Sequence, residues 1–117
     1  MKNNLILDKS FDFALDIIRF YQILQRKNEF VLSKQLLRSG TGIGALVNEA
    51  TAAESRKDFV HKMSIASKEA RETKYWLRLL HRSQLVAVDY SPLLKEISSI
   101  CRILTSIVKS TKERNSH

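Results

Sequence analysis

The chain has 117 residues, in which 20 lysines and arginines outnumber 12 aspartates and glutamates, giving a formal net charge of +8. This length predicts a single domain over residues 1–117. The balance of 44% hydrophobic and 27% charged residues excludes a disordered or collagen-like chain, and three glycines and one proline are too few for a turn-rich all-β fold. The basic excess favours a polyanionic partner such as RNA, DNA or a membrane surface.

Further exclusions follow from single features of the sequence. Cys101 is the one cysteine, so an intramolecular disulfide framework and a cysteine-rich zinc site are excluded. No signal peptide is recognised, and no apolar run approaches the 18 residues of a membrane-spanning helix. We therefore expect a cytoplasmic protein without a membrane partner.

The first predicted helix spans about residues 10–27, with Ser10 as its N-cap. Apolar residues recur at helical spacing, and others widen the same face. A face this broad predicts contact with more than one neighbour. The core stripe of this helix consists of Phe13, Ile17, Phe20 and Leu24.

The second predicted helix, at about 29–55, contains Gly40, Gly42 and Gly44. Each glycine costs about 1 kcal/mol in a helix relative to alanine, so a compensating role is expected. One interpretation is structural, a close approach of two helices or a local helix irregularity, and the other is a phosphate-binding loop. The loop interpretation needs a following Gly-Lys-Ser/Thr or a preceding strand, and the sequence has neither, so close packing is favoured.

The third predicted helix spans about 56–84 and begins after the N-cap Ser55. Residues 56–88 carry 8 basic and 3 acidic side chains, a net charge of +5. At 100° per residue, one face opposite the core stripe collects most of this charge. We predict that this face binds nucleic acid, through Lys57, His61, Lys68, Arg71, Tyr75, Arg78 and Arg82.

The fourth predicted helix, at about 91–112, starts with Ser91 as N-cap and Pro92 at the first helical position. Its apolar residues recur every three or four positions, close to a heptad pattern. Four amphipathic helices with short connections predict an all-α fold, an antiparallel up-down-up-down four-helix bundle.

Two other groups of residues allow alternative interpretations. Glu49, Glu69 and Glu72 could do acid–base work or bind a metal, but in a basic bundle structural ion pairs are favoured, with Arg38, Lys68 and Arg71 as available partners. Ile65 and Trp76 lie off both the core and the basic face of the third helix. We predict that they form an oligomer interface, the alternative being that Trp76 packs across a neighbouring helix.

The chemistry of the remaining residues predicts no enzyme, no cofactor and no metal. His61, His81 and His117 stand in no metal-binding motif, and Cys101, on an apolar helix face, is expected to be a buried structural thiol. No pair of catalytic residues stands at a motif spacing, although a spatial triad leaves no such trace in a sequence.

Four segments carry a resemblance to a known family: LLRSGTGIGA at 36–45, EA at 49–50, KEARET at 68–73 and YWLRLL at 75–80. They resemble the bacterial four-helix-bundle proteins that are encoded in intervening sequences of large-subunit ribosomal RNA genes. The accessory variability protein of diversity-generating retroelements is related to that family. The resemblance covers about residues 10–108. The motif positions are occupied by Arg38, Ser39, Glu49, Lys68, Glu69, Glu72 and Trp76.

This resemblance implies a bundle that assembles into a homopentamer and has no catalytic centre. It also implies two functions, since the retroelement relative binds nucleic acid and a reverse transcriptase through a basic surface. In the first hypothesis the protein binds RNA or DNA in a salt-sensitive manner with little sequence preference. In the second it is an oligomeric scaffold whose main partner is another protein, such as a reverse transcriptase.

Overall fold

The structure is a computed structural model that describes residues 2–115. It contains four α-helices, α1 (Lys2–Arg26), α2 (Leu32–Thr51), α3 (Arg56–Ser83) and α4 (Ser91–Asn115). Among the described residues no strand occurs. Successive helices pack against each other, and α4 returns to α1, with which it shares the smallest contact. The result is an antiparallel four-helix bundle whose Cα atoms extend over 51 × 22 × 22 Å, which confirms the predicted fold class.

The predicted stripes form the core of this bundle. All four residues of the stripe in α1 are buried, as are Leu93, Ile97, Ile100 and Leu104 of α4, whereas Ile107 is partly buried against them. Burial of these side chains is the main stabilising contribution, at about 25 cal/mol per Å² of apolar surface. The largest fully buried side chains include Tyr90, Phe13, Ile17, Leu36, Ile43, Met63, Leu77, Ile97 and Ile100.

Helix α1 starts earlier than predicted, so the assignment of Ser10 as its N-cap is wrong. The helix begins at Lys2, and Ser10 is completely buried within it. Its hydroxyl donates to the Leu7 carbonyl (3.2 Å), a bond within the helix that satisfies the side chain without ending the helix. Ile6 is also fully buried and extends the core spacing towards the N-terminus.

Helix α2 is shorter than predicted, and Glu29 lies in the turn before it. Asn28 adopts a left-handed conformation (φ 65°). The Glu29 carboxylate, only 8% exposed, then accepts the backbone N–H groups of Val31 (3.2 Å), Leu32 (3.1 Å) and Ser33 (2.6 Å). These donors have no partner within the helix, so the Glu29 carboxylate caps α2 although Glu29 itself lies in the preceding turn.

The start of α3 is as predicted, whereas that of α4 differs by one residue. Ser55 accepts the backbone N–H of Asp58 (3.0 Å), which confirms it as the N-cap of α3. Ser91 is the first helical residue of α4 rather than its cap. The N–H of Ser91 donates to Asp89 (3.0 Å), and the first turn closes with a bond from Leu94 N–H to the Tyr90 carbonyl (2.9 Å).

Two of the three glycines in α2 lie at a close contact with α1. A Cβ built on Gly40 would lie 2.9 Å from Cγ1 of Ile17, and one on Gly44 would lie 3.2 Å from the Ser10 carbonyl oxygen. Around Gly42 a Cβ would meet nothing within 4 Å. The prediction of close packing is therefore confirmed for Gly40 and Gly44 and is wrong for Gly42.

Candidate functional site: a basic groove between α3 and α4

The face of α3 that the sequence assigns to nucleic acid is open to solvent along the whole helix. All seven predicted residues are exposed. From Lys57 to Arg82 they extend over about 38 Å at 1.5 Å per residue. A helix-wide stripe is too long to form one compact site, so the neighbouring helix decides where the charge is concentrated.

The concentration occurs where α3 packs against α4, in an open groove of about 650 Å³. Helix α3 contributes three of the predicted residues, Arg71, Tyr75 and Arg78. The other four, Lys57, His61, Lys68 and Arg82, are absent from the lining. The complete lining is Arg71, Lys74, Tyr75, Arg78, Cys101, Arg102, Thr105, Ser106 and Lys109.

Sequence reasoning missed the contributions of Lys74, Arg102 and Lys109. Arg102 and Lys109 are seven residues apart in α4, and Thr105 and Ser106 lie between them on the same strip. A helical projection of α3 alone could not show this strip, because it belongs to another helix. The sequence does contain a signal for the α4 residues, because Arg102 and Lys109 lie seven residues apart at the edge of the apolar stripe of α4.

Five cationic side chains thus line one groove, three from α3 and two from α4. None of the nine lining residues, all within the described part of the chain, is acidic. Since like charges in one groove raise the local potential, anions are attracted to it over distances of about 8–10 Å at moderate salt. The hydroxyls of Thr105 and Ser106 add hydrogen-bonding groups to the lining.

Cys101 lies on the α4 side of the groove and is partly buried. Burial raises the pKa of its thiol above the ordinary value, although the charges of Lys74, Arg71 and Arg102 act in the opposite direction. The thiol therefore stays protonated at neutral pH, and a protonated thiol is a weak nucleophile. The sequence predicts a buried thiol, whereas in the structure Cys101 is only half-buried.

Arg38 connects α2 to the two carboxylates of α3. Its guanidinium lies 3.5 Å from Glu69 and forms a short contact with Glu72. The same oxygen of Glu72 accepts the indole N–H of Trp76 (3.1 Å). Nearby, the buried hydroxyls of Ser39 and Thr73 form a hydrogen bond (2.9 Å) between the two helices. The arrangement holds α2 against α3.

The third predicted carboxylate, Glu49, lies further along α2. It pairs with Lys62 of α3 (3.3 Å), a partner that the sequence did not indicate. Of the other two predicted partners of these carboxylates, Lys68 is exposed and Arg71 donates to the Ser67 hydroxyl (3.4 Å). Across the described residues, no three His, Cys, Asp or Glu side chains are grouped so that they could hold a metal ion.

The predicted interface residues Ile65 and Trp76 are half-buried. Trp76 packs partly against the core, and its ring makes an edge contact with Tyr75 at 5.1 Å. More exposed apolar surface lies on α1, where Phe11 is 63% exposed and Leu15 and Ile18 are also exposed. An interface involving Ile65 and Trp76 stays a prediction.

The remaining sequence predictions concern the histidines and the membrane-spanning potential of the helices. His61 and His81 are exposed, His81 making an edge contact with Tyr90 (5.8 Å), whereas His117 lies outside the described residues. None of the helices, over the residues described, has both the length and the apolar character needed to cross a membrane.

Fold and groove together define a basic, antiparallel four-helix-bundle protein with a cationic groove between its last two helices. The family model of the 23S rRNA-intervening sequence protein matches residues 2–106. The chain therefore belongs to the 23S rRNA-intervening sequence protein family.

A solved structure is similar to the chain over almost its whole length. It is the crystal structure of a protein of unknown function from the S23 ribosomal protein family of Bacteroides thetaiotaomicron VPI-5482, with 47% sequence identity and a TM-score of 0.88. The match covers 93% of this chain and 99% of the other. No curated protein matches the chain.

Proposed function

We propose that this protein is a non-enzymatic, self-associating bundle that binds nucleic acid through the groove between α3 and α4. The observation that carries the proposal is the convergence of five cationic side chains from two helices without an acidic residue in the lining. Phosphate contacts of this kind supply most of the affinity of non-specific nucleic-acid binding. The family name, which refers to 23S rRNA, supports RNA as the first ligand to test.

The proposal predicts a steep dependence of affinity on salt. If the groove neutralises about three phosphates of a single strand, the logarithm of the binding constant falls with a slope of about −2 against the logarithm of salt concentration. Fluorescence anisotropy with a short labelled RNA, titrated between about 50 and 200 mM salt, measures this slope. An affinity that stays constant over that range would exclude phosphate binding by the groove.

Charge reversal separates the groove from the rest of the basic face. The groove variant carries Arg78→Glu and Lys109→Glu, and the matched control carries Lys57→Glu and Arg82→Glu, an equal change of charge outside the groove. We expect the groove variant to lose affinity and salt dependence, since each lost phosphate contact reduces the slope by about 0.7. The control should lose much less.

The same variants test the alternative function. A scaffold whose groove docks an acidic protein surface would bind RNA weakly, and the groove variant would leave that weak affinity unchanged. Equal losses in the groove variant and its control would instead assign RNA binding to the whole exposed face of α3. The oligomer must remain intact in both variants for either comparison to hold.

Self-association is supported by the exposed apolar surface of α1. Phe11, Leu15 and Ile18 lie within about 60° of one another on the helix and are all exposed. Such a strip is typical of a protein–protein contact, and the homopentamer implied by the family resemblance would cover it. Native mass measurement of Phe11→Ser/Leu15→Ser should show smaller species than wild type, while Leu85→Ser, which changes an equally exposed residue in a loop, should leave the mass unchanged.

A further inference from the structure

The groove has a form that distinguishes a single strand from a double helix. Its two walls are the packed helices α3 and α4, whose axes in such contacts are about 8–10 Å apart. Cations stand on both walls, with Arg71, Lys74 and Arg78 on one and Arg102 and Lys109 on the other. A backbone that enters the groove therefore meets positive charge on two sides.

The length of the charged region matches a short segment of one strand. The seven residue-to-residue steps from Arg71 to Arg78 rise by about 10.5 Å, as do those from Arg102 to Lys109. Stacked nucleotides of one strand advance about 3.4 Å each, so each wall spans roughly three of them. One protomer thus offers a site for a few nucleotides.

Tyr75 is the feature that phosphate binding alone does not explain. It is 56% exposed although it is aromatic, and it lies between Arg71 and Arg78 on the same face of α3. Its ring makes an edge contact with Trp76 at 5.1 Å and an interplanar angle of 69°, which restricts its orientation. An exposed aromatic ring within a cationic groove is the arrangement on which unpaired bases stack.

We propose that the groove binds a single-stranded segment, with the backbone between the cations of α3 and α4 and one base stacked on Tyr75. The proposal rests on the nucleic-acid binding proposed above. In a duplex the bases are paired and turned inward, so Tyr75 has no base face to contact, and only backbone contacts remain. The single strand is therefore the preferred ligand.

The test compares the full-length protein with Tyr75→Leu and Tyr75→Phe. The probes are a labelled oligouridine, which cannot pair with itself, and a blunt-ended RNA duplex with the same number of phosphates. We expect Tyr75→Leu to weaken oligouridine binding by about 5- to 150-fold, the range for loss of one stacked base. Tyr75→Phe should retain wild-type affinity, and both variants should bind the duplex as the wild type does.

A second readout reports on the surroundings of Tyr75, through its ring contact with Trp76. Trp76 is the sole tryptophan of the chain, so quenching of its fluorescence reports a base stacked on the adjacent Tyr75. We expect quenching with oligouridine and little with the duplex.

Two results would overturn the inference while leaving nucleic-acid binding intact. One is oligouridine affinity that is the same in Tyr75→Leu and in wild type, and the other is a wild-type preference for the duplex. If neither probe binds to the wild type at low salt, the proposed function itself fails and the inference with it. Circular dichroism of both variants shows whether the bundle is still folded.

Discussion

The three glycines of α2 allow an internally controlled test of the packing between α1 and α2. Each is changed to alanine, and no glycine among the described residues has a positive φ, so alanine fits the backbone at every position. The helix gains about 1 kcal/mol from each substitution because alanine is the better helix former. What differs is the space around the new methyl group.

At Gly42 the added Cβ meets nothing within 4 Å, so Gly42→Ala should stabilise the fold by about 0.5–1 kcal/mol. At Gly40 it would lie 2.9 and 3.0 Å from Cγ1 and Cγ2 of Ile17. Both carbons branch directly from the Ile17 Cβ, and Ile17 is fully buried, so the contact is relieved only if α1 and α2 separate. Overpacking of this kind costs about 1–3 kcal/mol, which leaves Gly40→Ala destabilised by up to about 2 kcal/mol.

Thermal unfolding followed by circular dichroism ranks the variants by stability. A change of 1 kcal/mol shifts the Tm of a domain of this size by roughly 4 °C, so Gly42→Ala should melt above wild type and Gly40→Ala below it. Gly44→Ala, whose Cβ would meet the Ser10 carbonyl oxygen at 3.2 Å, should not exceed wild type, because a backbone atom cannot move aside. A Gly40→Ala variant as stable as Gly42→Ala would refute the close packing of α1 and α2.

Three other predictions concern buried polar groups. Burial alone would raise the pKa of Glu29, but the backbone N–H groups of Ser33 and the two preceding residues, with the Ser33 hydroxyl, lower it below the ordinary 4.5. The charged form therefore stabilises the fold above that value, and this stability is lost as the pH falls through the lower folded-state pKa. Urea unfolding should show Glu29→Gln less stable than wild type by about 1 kcal/mol at pH near 7, with the difference shrinking in acid; a constant difference would contradict the capping role. Tyr90→Phe removes a buried hydrogen bond to the Val86 carbonyl (2.8 Å) and should lower the free energy of unfolding by about 1 kcal/mol, measured as a lower denaturant midpoint with an unchanged m-value. For the buried hydroxyl pair, a double-mutant cycle of Ser39→Ala and Thr73→Val should give a coupling energy of about 0.5–1.5 kcal/mol, and additive effects would mean that the pair does not couple α2 to α3.

The fold was predictable because the information for it lies within each helix. The spacing of Phe13, Ile17, Phe20 and Leu24 identifies a buried face whatever the neighbour is, and Ser55 marks the start of α3 by local chemistry alone. Ser10 failed as a start signal for a physical reason. The same hydroxyl that caps a helix can donate to a carbonyl one turn back inside it, and only packing against Gly44 of α2 shows which of the two applies.

The glycines illustrate how far a pattern in one helix can lead. Three glycines at alternate positions cannot all lie on one side of α2, since each step of two residues turns the helix by about 200°. Gly40 and Gly44 are four residues apart and share the side that faces α1, whereas Gly42 lies on the other side. Helical geometry alone therefore separates Gly42 from the pair, once the direction of α1 is known.

The position of the groove could not be predicted from one helix at a time, because its cationic residues come from both α3 and α4. The projection of α3 correctly identifies Arg71, Tyr75 and Arg78 as exposed, yet it gives equal weight to Lys57 and Arg82, which do not line the groove. Arg102 and Lys109 become part of the groove only because α4 packs antiparallel to α3, which brings residues about 30 positions apart in sequence onto facing walls. Net charge and helical periodicity therefore predict that a basic surface exists. The packing of the helices determines where on that surface a ligand would meet positive charge on two sides, with an aromatic ring between them.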